Sequence, residues 1–152
     1  MTKKLVVYFS RTGNTKKVAE KIANGLSCDL IDIKPLKSYK GIMGWLRAGS
    51  QGVRRKLPEI ELISMDLNLY DLVIVGTPMW GANMSSPVRS FLTKHVNDIK
   101  KIAYFYCSGG EGSDKIFQEF NDLTKIEPVA TLGVPQKEID TTEKIEKFIQ
   151  QL

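Results

Sequence analysis

The run Leu5-Val6-Val7-Tyr8-Phe9 constrains the fold more than any other segment of this chain. Five successive apolar residues show no alternation, so the strand they form must be buried on both faces. Such a strand belongs inside a parallel sheet that carries helices on each side. The next segment agrees with this. A polar turn spans residues 10–15, after which Val18, Ala19, Ile22, Ala23 and Leu26 recur at helical spacing and predict a helix over about 14–26.

The alternation of strand and helix continues to the end of the sequence. Residues 28–33 alternate apolar side chains with Asp29 and Asp32, as an edge or half-exposed strand does. Leu72-Val73-Ile74-Val75 is a third strand, ending at Gly76-Thr77-Pro78. Pro87 suits the first turn of a helix that Ser85 or Ser86 would cap, with Val88, Phe91 and Leu92 as its apolar stripe. Residues 102–107 form the fourth strand, and Ile116, Phe117, Phe120 and Leu123 mark the next helix. Residues 129–132 form the fifth strand. Asp140 or Thr141 caps a last helix with the stripe Ile145, Phe148, Ile149 and Leu152. Five strands separated by helices predict one α/β domain over residues 1–152, a doubly wound parallel sheet covered on both sides. Segment 34–58 interrupts the pattern. Ile42, Trp45, Leu46 and Val53 suggest a helix there, weakened by Gly41, Gly44, Gly49 and Gly52, and core packing is the expected fate of Trp45.

A chain of 152 residues buries enough surface to fold without disulfides or metals. Cys28 and Cys107 are far apart and there is one histidine, which argues against a metal centre. Both cysteines are expected as buried, reduced thiols. No apolar run approaches the ~20 residues of a membrane span. The apolar run near the N-terminus is too short for a signal peptide, so a cytoplasmic location is expected. The net charge is +5, and between Ile33 and Pro58 there are seven basic residues and no acidic one. An acidic partner, or only a solvated basic face, accounts for that asymmetry.

In an open parallel sheet, ligands bind outside the carboxyl ends of the strands. Three loops rich in glycine and small polar residues follow strands there: 10–15, 77–86 and 107–112. In the first, Ser10, Thr12, Asn14 and Thr15 offer hydrogen-bonding side chains, and Gly13 permits a tight turn. The helix after it adds free N–H groups and the positive end of its dipole, a phosphate site that needs no lysine. An ordinary helix cap with surplus hydroxyls is the plain alternative. Neither G-x-x-x-x-G-K-[ST] nor G-x-G-x-x-G occurs, so neither nucleotide loop is indicated. In the second loop, Trp80 beside Gly81 could stack on a flat aromatic ligand, or simply pack on the surface. The third, Cys107-Ser108-Gly109-Gly110, could bring backbone donors close to a ligand ring.

These residues resemble the flavodoxins and flavodoxin-like FMN proteins. The resemblance rests on Val6-Val7-Tyr8, Ser10, Gly13-Asn14-Thr15, Ala19 and Ile22, and on Gly76-Thr77-Pro78, Trp80-Gly81 and Pro87-Val88-Arg89-Ser90-Phe91-Leu92. It covers nearly the whole chain. It implies strand order 2-1-3-4-5 and FMN at the tops of strands one, three and four. By the same resemblance Ser10, Arg11, Thr12, Gly13, Asn14 and Thr15 hold the phosphate. Thr77, Pro78, Met79, Trp80, Gly81 and Asn83 flank the isoalloxazine ring, and Cys107, Ser108, Gly109 and Gly110 approach it from the third loop. Trp80 is the implied stacking aromatic, and the Gly81 carbonyl the group that turns toward flavin N5. Two features depart from the family. The loop after strand four carries no aromatic residue, since Tyr106 is expected to point into the sheet, which leaves Trp45 as a substitute. Flavodoxins are typically acidic, yet Glu111 is the one obvious acid in these three loops.

The implied function is electron transfer between redox partner proteins, acidic ones meeting the basic segment 34–56, by a monomer or weak dimer with no catalytic acid–base residue. The alternative is an FMN-dependent NAD(P)H:quinone reductase, whose loops Trp80-Gly81-Ala82-Asn83-Met84 partly resembles. His95 would be its tempting proton donor, although a solvated helix-end histidine is the simpler reading. A third reading has the basic segment binding nucleic acid or an anionic membrane. It lacks a recognisable motif, so neither partner is expected.

Overall fold

The apolar run near the N-terminus becomes β1 (Lys4–Tyr8), in which Leu5, Val6 and Val7 have no exposed surface. Its alternate residues enter two separate cores. Leu5 and Val7 pack with Val73, Val75 and Tyr104, whereas Val6 and Tyr8 pack with Val18, Ile22 and Phe105. The lack of alternation in sequence thus reflects a strand covered twice. The structure is a computed structural model that describes residues 2–54 and 57–152, with 51–54 described as backbone.

The remaining elements are α1 (Asn14–Leu26), β2 (Asp29–Asp32), α2 (Gly41–Arg54), β3 (Leu72–Trp80), β4 (Asn83–Met84), α3 (Ser86–His95), β5 (Ile102–Ser108), α4 (Lys115–Thr124), β6 (Thr131–Pro135) and α5 (Glu143–Gln150). The parallel sheet runs β2-β1-β3-β5-β6, and β4 pairs antiparallel with the end of β3. Without the two-residue β4 this is the expected order 2-1-3-4-5. Helices α1 and α5 cover one face with Val18, Ile22, Ile145 and Phe148. Helices α3 and α4 cover the other with Phe91, Leu92, Ile116 and Phe120. Among the described residues, no helix is long and apolar enough to cross a membrane.

Several local expectations are corrected. β3 continues through Gly76, Thr77 and Pro78 because β5 still pairs with them, so these residues do not end the strand. Gly76 is there for packing: a Cβ on it would come within 2.0 Å of the Phe105 ring. The last strand is 131–135, not 129–132, and the Val129 side chain is exposed. Helix α5 starts after Thr142, not after Asp140 or Thr141. Buried Ile139 first anchors a 3-10 turn over Gln136–Glu138. Ser85 does stand ahead of α3, but its side chain does not cap the helix. Cys107 is buried as expected, while Cys28 precedes β2 and is half-buried.

The segment around residues 34–58 does contain a helix, α2, but turned the unexpected way. Among the described side chains its buried residues are Gly44 and Ala48, and a Cβ on Gly44 would come within 2.0 Å of the Tyr39 backbone. The helix therefore approaches the body through its small residues, and Trp45 is 62% exposed. The side chain of Val53, and Arg55 and Lys56, lie outside the described residues.

Alkaline sensitivity arises in the core. The Tyr104 hydroxyl lies 2.7 Å from Thr124 Oγ1, and burial pushes this phenol up to about 12. Tyr70 donates to Asp29 Oδ2 at 2.6 Å and is also pushed up to about 12, by burial first and then by Asp29. The fold favours the neutral phenols. Their contribution is complete below the unfolded pKa near 10 and is lost as pH rises from 10 toward 12. For Tyr104 the difference is about 2–3 kcal/mol. Thermal unfolding followed by circular dichroism should show a steep fall in Tm above pH 10, and Tyr104→Phe should flatten that fall. An alkaline limb unchanged in Tyr104→Phe would refute this assignment.

Candidate functional site

The turn at 10–15 is built by the abrupt end of β1. Ser10 Oγ accepts from Gly13 N at 3.0 Å, and Gly13 takes φ +104°, a conformation that disfavours any side chain. α1 begins immediately after it with no side-chain cap. The first-turn N–H groups of α1 are thus not consumed by a cap, unlike in the plain capping alternative. Thr15 is 1% exposed and stands beside the thiol of Cys107 on β5, favouring its ionised form. Burial pushes that thiol up to about 12, which keeps it neutral. Arg11 reaches sideways: its Nε donates to Tyr39 O at 2.9 Å and its Nη2 to Gly41 O at 3.0 Å. One guanidinium therefore ties the turn to the start of α2.

The second loop is a hairpin. Trp80 pairs with Asn83, and the two residues between them, Gly81 and Ala82, have φ +56° and +64°. Two successive positive φ values make the turn that matches strand twist. Asn83 Nδ2 donates to Gly81 O at 3.0 Å, so the Gly81 carbonyl has a defined partner. Trp80 is 7% exposed and packs edge-on against Phe9 at 5.7 Å and tilted against Tyr39 at 4.9 Å. Below the hairpin, buried Thr77 accepts from Ser85 N at 2.9 Å. Ala82 occupies a backbone region that costs an L-residue about 1–2 kcal/mol. Ala82→Gly is therefore expected to raise stability by about 0.5–1 kcal/mol, read from urea unfolding, and a loss of stability would contradict the turn geometry.

These loops enclose a cavity of about 620 Å³ at the carboxyl ends of the parallel strands. That volume lies within the ~300–1,000 Å³ typical of small-molecule sites. Of the expected residues, Arg11, Thr12, Asn14 and Thr15 line it from the first loop, Pro78, Met79, Trp80 and Gly81 from the hairpin, and Cys107, Ser108 and Gly109 from the third. Ser10, Gly13, Thr77 and Asn83 do not line it, and three of these brace residues in or beside the loops. Gly110 opens instead onto a neighbouring hollow with Glu111. Tyr106 is buried against Phe117, as expected.

Sequence reasoning found little of one wall: it offered Trp45 as a substitute aromatic but expected it in the core. α2 contributes Trp45, Leu46, Ala48, Gly49 and Ser50, and Gln136 enters from the end of β6. Gln136 directly follows the last strand once that strand is placed at 131–135 rather than 129–132. No local signal distinguishes a cavity-facing Trp45 from a core one. Among the described residues, Arg11 is the one charged side chain lining the cavity. His95 does not line it. That residue sits at the end of α3 against Phe91, 3.9 Å from Asp98, and burial lowers its pKa. Among the described residues, no group of three or more side chains is placed to hold a metal ion.

Comparison with known proteins agrees with the fold. The family model described as Flavodoxin matches residues 3–147. A flavoprotein from Lactobacillus acidophilus NCFM, solved in complex with FMN, superposes with a TM-score of 0.76 at 27% identity, over 95% of this chain and 100% of that one. The two-electron reduced flavodoxin of Megasphaera elsdenii gives 0.64 at 17% identity, over 97% of this chain and 96% of that one. A curated relative, NAD(P)H dehydrogenase (quinone) 3 of Rhizobium meliloti (strain 1021), is 32% identical over 92 residues, which is 60% of this chain and 43% of that enzyme. The match thus spans less than half the length of that relative.

Proposed function

Because this chain belongs to the flavodoxin family, we propose that it binds FMN in the cavity beneath Trp45 and Trp80 and carries electrons between redox partner proteins. One observation carries the reading: a single cavity runs from the uncapped start of α1 to walls that hold both tryptophans. The residues fit the group. The first-turn N–H groups of α1 and the Thr12 hydroxyl suit a phosphate dianion. Trp80 from the hairpin and Trp45 from α2 supply apolar walls for a flat ring, so α2 provides the second aromatic that the loop after β5 lacks. Asn83 holds the Gly81 carbonyl at the edge of that space. When bound, FMN supplies the redox chemistry, and the protein supplies binding and electronic tuning.

A quinone reductase is the second reading, supported by the Rhizobium relative. It would require nicotinamide and quinone to share the cavity with the flavin. The test is fluorescence titration of the purified chain with FMN, then spectra during stepwise reduction and a steady-state assay with NADPH and a quinone. Tight binding with separate one-electron steps and negligible turnover is expected. Rapid turnover would favour the reductase, and failure to bind FMN would overturn both.

A further inference from the structure

α2 is an inverted amphipathic helix. Its small residues Gly44 and Ala48 face the body, while Ile42, Met43, Trp45 and Leu46 are 80%, 73%, 62% and 52% exposed. Four adjacent large apolar side chains in solvent form a contiguous patch, which a monomeric surface rarely carries without a use. The helix is not adrift. Arg11 fixes its start through Tyr39 O and Gly41 O, and Arg47 donates to Ser38 O. The patch is therefore presented by a tethered element. Trp45 and Leu46 also line the cavity, so whatever covers the patch covers the cavity mouth.

The chain segment that carries the patch has charge of one sign. Lys37 and Lys40 are exposed and make no ion pair among the described residues, and the sequence holds no carboxylate between Asp32 and Glu59. We propose that this face docks an acidic partner protein over the cavity mouth, an inference that rests on the electron-carrier reading above. An apolar centre that includes a tryptophan, with exposed lysines in the segment leading into it, is the composition of a protein-binding hot spot with a steering charge. A lipid surface fits less well. The apolar group covers residues 42–46 and then gives way to Arg47, Ala48, Gly49 and Ser50, too short a stripe for an interfacial helix.

The probe is a reduced plant-type ferredoxin, an acidic protein. Each ferredoxin gives up one electron and the bound FMN gains one. Stopped-flow reduction would be compared in Ile42→Ser/Met43→Ser, in Lys37→Glu/Lys40→Glu, and in Lys100→Glu/Lys101→Glu, which makes the same charge change at the opposite end of the sheet. None of these six residues lines the cavity. FMN affinity, dithionite reduction and Tm serve as controls and should not change. At low salt the rate constant should fall about tenfold in each of the first two variants and less than about twofold in the third, and high salt should slow the wild type. Equal loss in all three variants, or none in any, would overturn the proposal. So would vesicles containing phosphatidylserine that capture the wild type but not Ile42→Ser/Met43→Ser, or a dimer in sedimentation equilibrium that this variant dissociates. If FMN does not bind, the carrier reading fails separately, and ferredoxin binding to the apoprotein by calorimetry, with the same variants, still decides the docking face.

Discussion

Glu119→Ala should lower folding stability by about 3–5 kcal/mol, although the residue does not line the candidate FMN cavity. Glu119 on α4 and Arg89 on α3 are each 8% exposed and form an ion pair through Arg89 Nη2 and Glu119 Oε1. The same Oε1 accepts from Met84 N at 3.2 Å. Removing the carboxylate strands a buried cation whose Nε already has no hydrogen-bond partner among the described residues, and also orphans a buried backbone N–H. Glu119→Gln keeps an acceptor but loses the charge, so a smaller loss is expected. Arg89→Met/Glu119→Leu should recover much of the deficit, because two matched apolar side chains no longer require desolvated charges. Urea unfolding of Arg89→Met, Glu119→Leu and the double closes a mutant cycle. A cost below about 1 kcal/mol for Glu119→Ala would mean that solvent reaches the pair and that it behaves as a surface bridge. The pair also has a local role. It anchors β4, the short return strand of the hairpin that presents Trp80 and Gly81 to the cavity.

That anchor is invisible in the sequence for a physical reason. Arg89 and Glu119 are 30 residues apart on different helices, and each looks like an ordinary polar position in its own pattern. Strand and helix identities are legible because burial imposes a period: β1 is covered twice and shows none, and α1 is covered once and shows a helical one. The same logic misreads α2. Apolar residues at helical spacing predict an inward face, but here Gly44 and Ala48 face inward because the helix lies against the Tyr39 backbone. Gly76 reads as punctuation, yet it makes room for Phe105, a contact set by the neighbouring strand. Residues at the strand ends are legible as a group because topology gathers those ends. Which side chains line the cavity and which brace it depends on hydrogen bonds such as those from Asn83 to Gly81 and from Gly13 to Ser10.

Arg11→Ala should weaken FMN binding about 10- to 100-fold and make full reduction of the bound flavin harder. Two causes act together and can be separated. The first is mechanical. The guanidinium bridges the turn at 10–15 to Tyr39 O and Gly41 O, and so holds the wall that carries Trp45. Charge-assisted bonds of this kind contribute about 1.5–3 kcal/mol when sheltered, and partial exposure reduces the sum to roughly that of one sheltered bond, a factor of about 10–100. The second is electrostatic. Arg11 is the one charged side chain among the described residues lining the cavity, and Glu111 opens onto a different hollow. A unit charge at about 10 Å contributes roughly 1–2 kcal/mol at an effective dielectric near 20, before salt screening. A cavity lined by a cation and no carboxylate should thus disfavour the anionic, fully reduced flavin less than an acidic flavodoxin site does. Arg11→Lys separates the causes, since it keeps the charge and loses the planar fork. It should hold the two-electron potential near wild type while binding FMN more weakly, whereas Arg11→Ala should lower both. Fluorescence titration reads the affinity and an equilibrium redox titration reads the potential. A wild-type potential in Arg11→Ala, or a potential in the native protein as low as in acidic flavodoxins, would refute the electrostatic half. Unchanged affinity in both variants would refute the mechanical half.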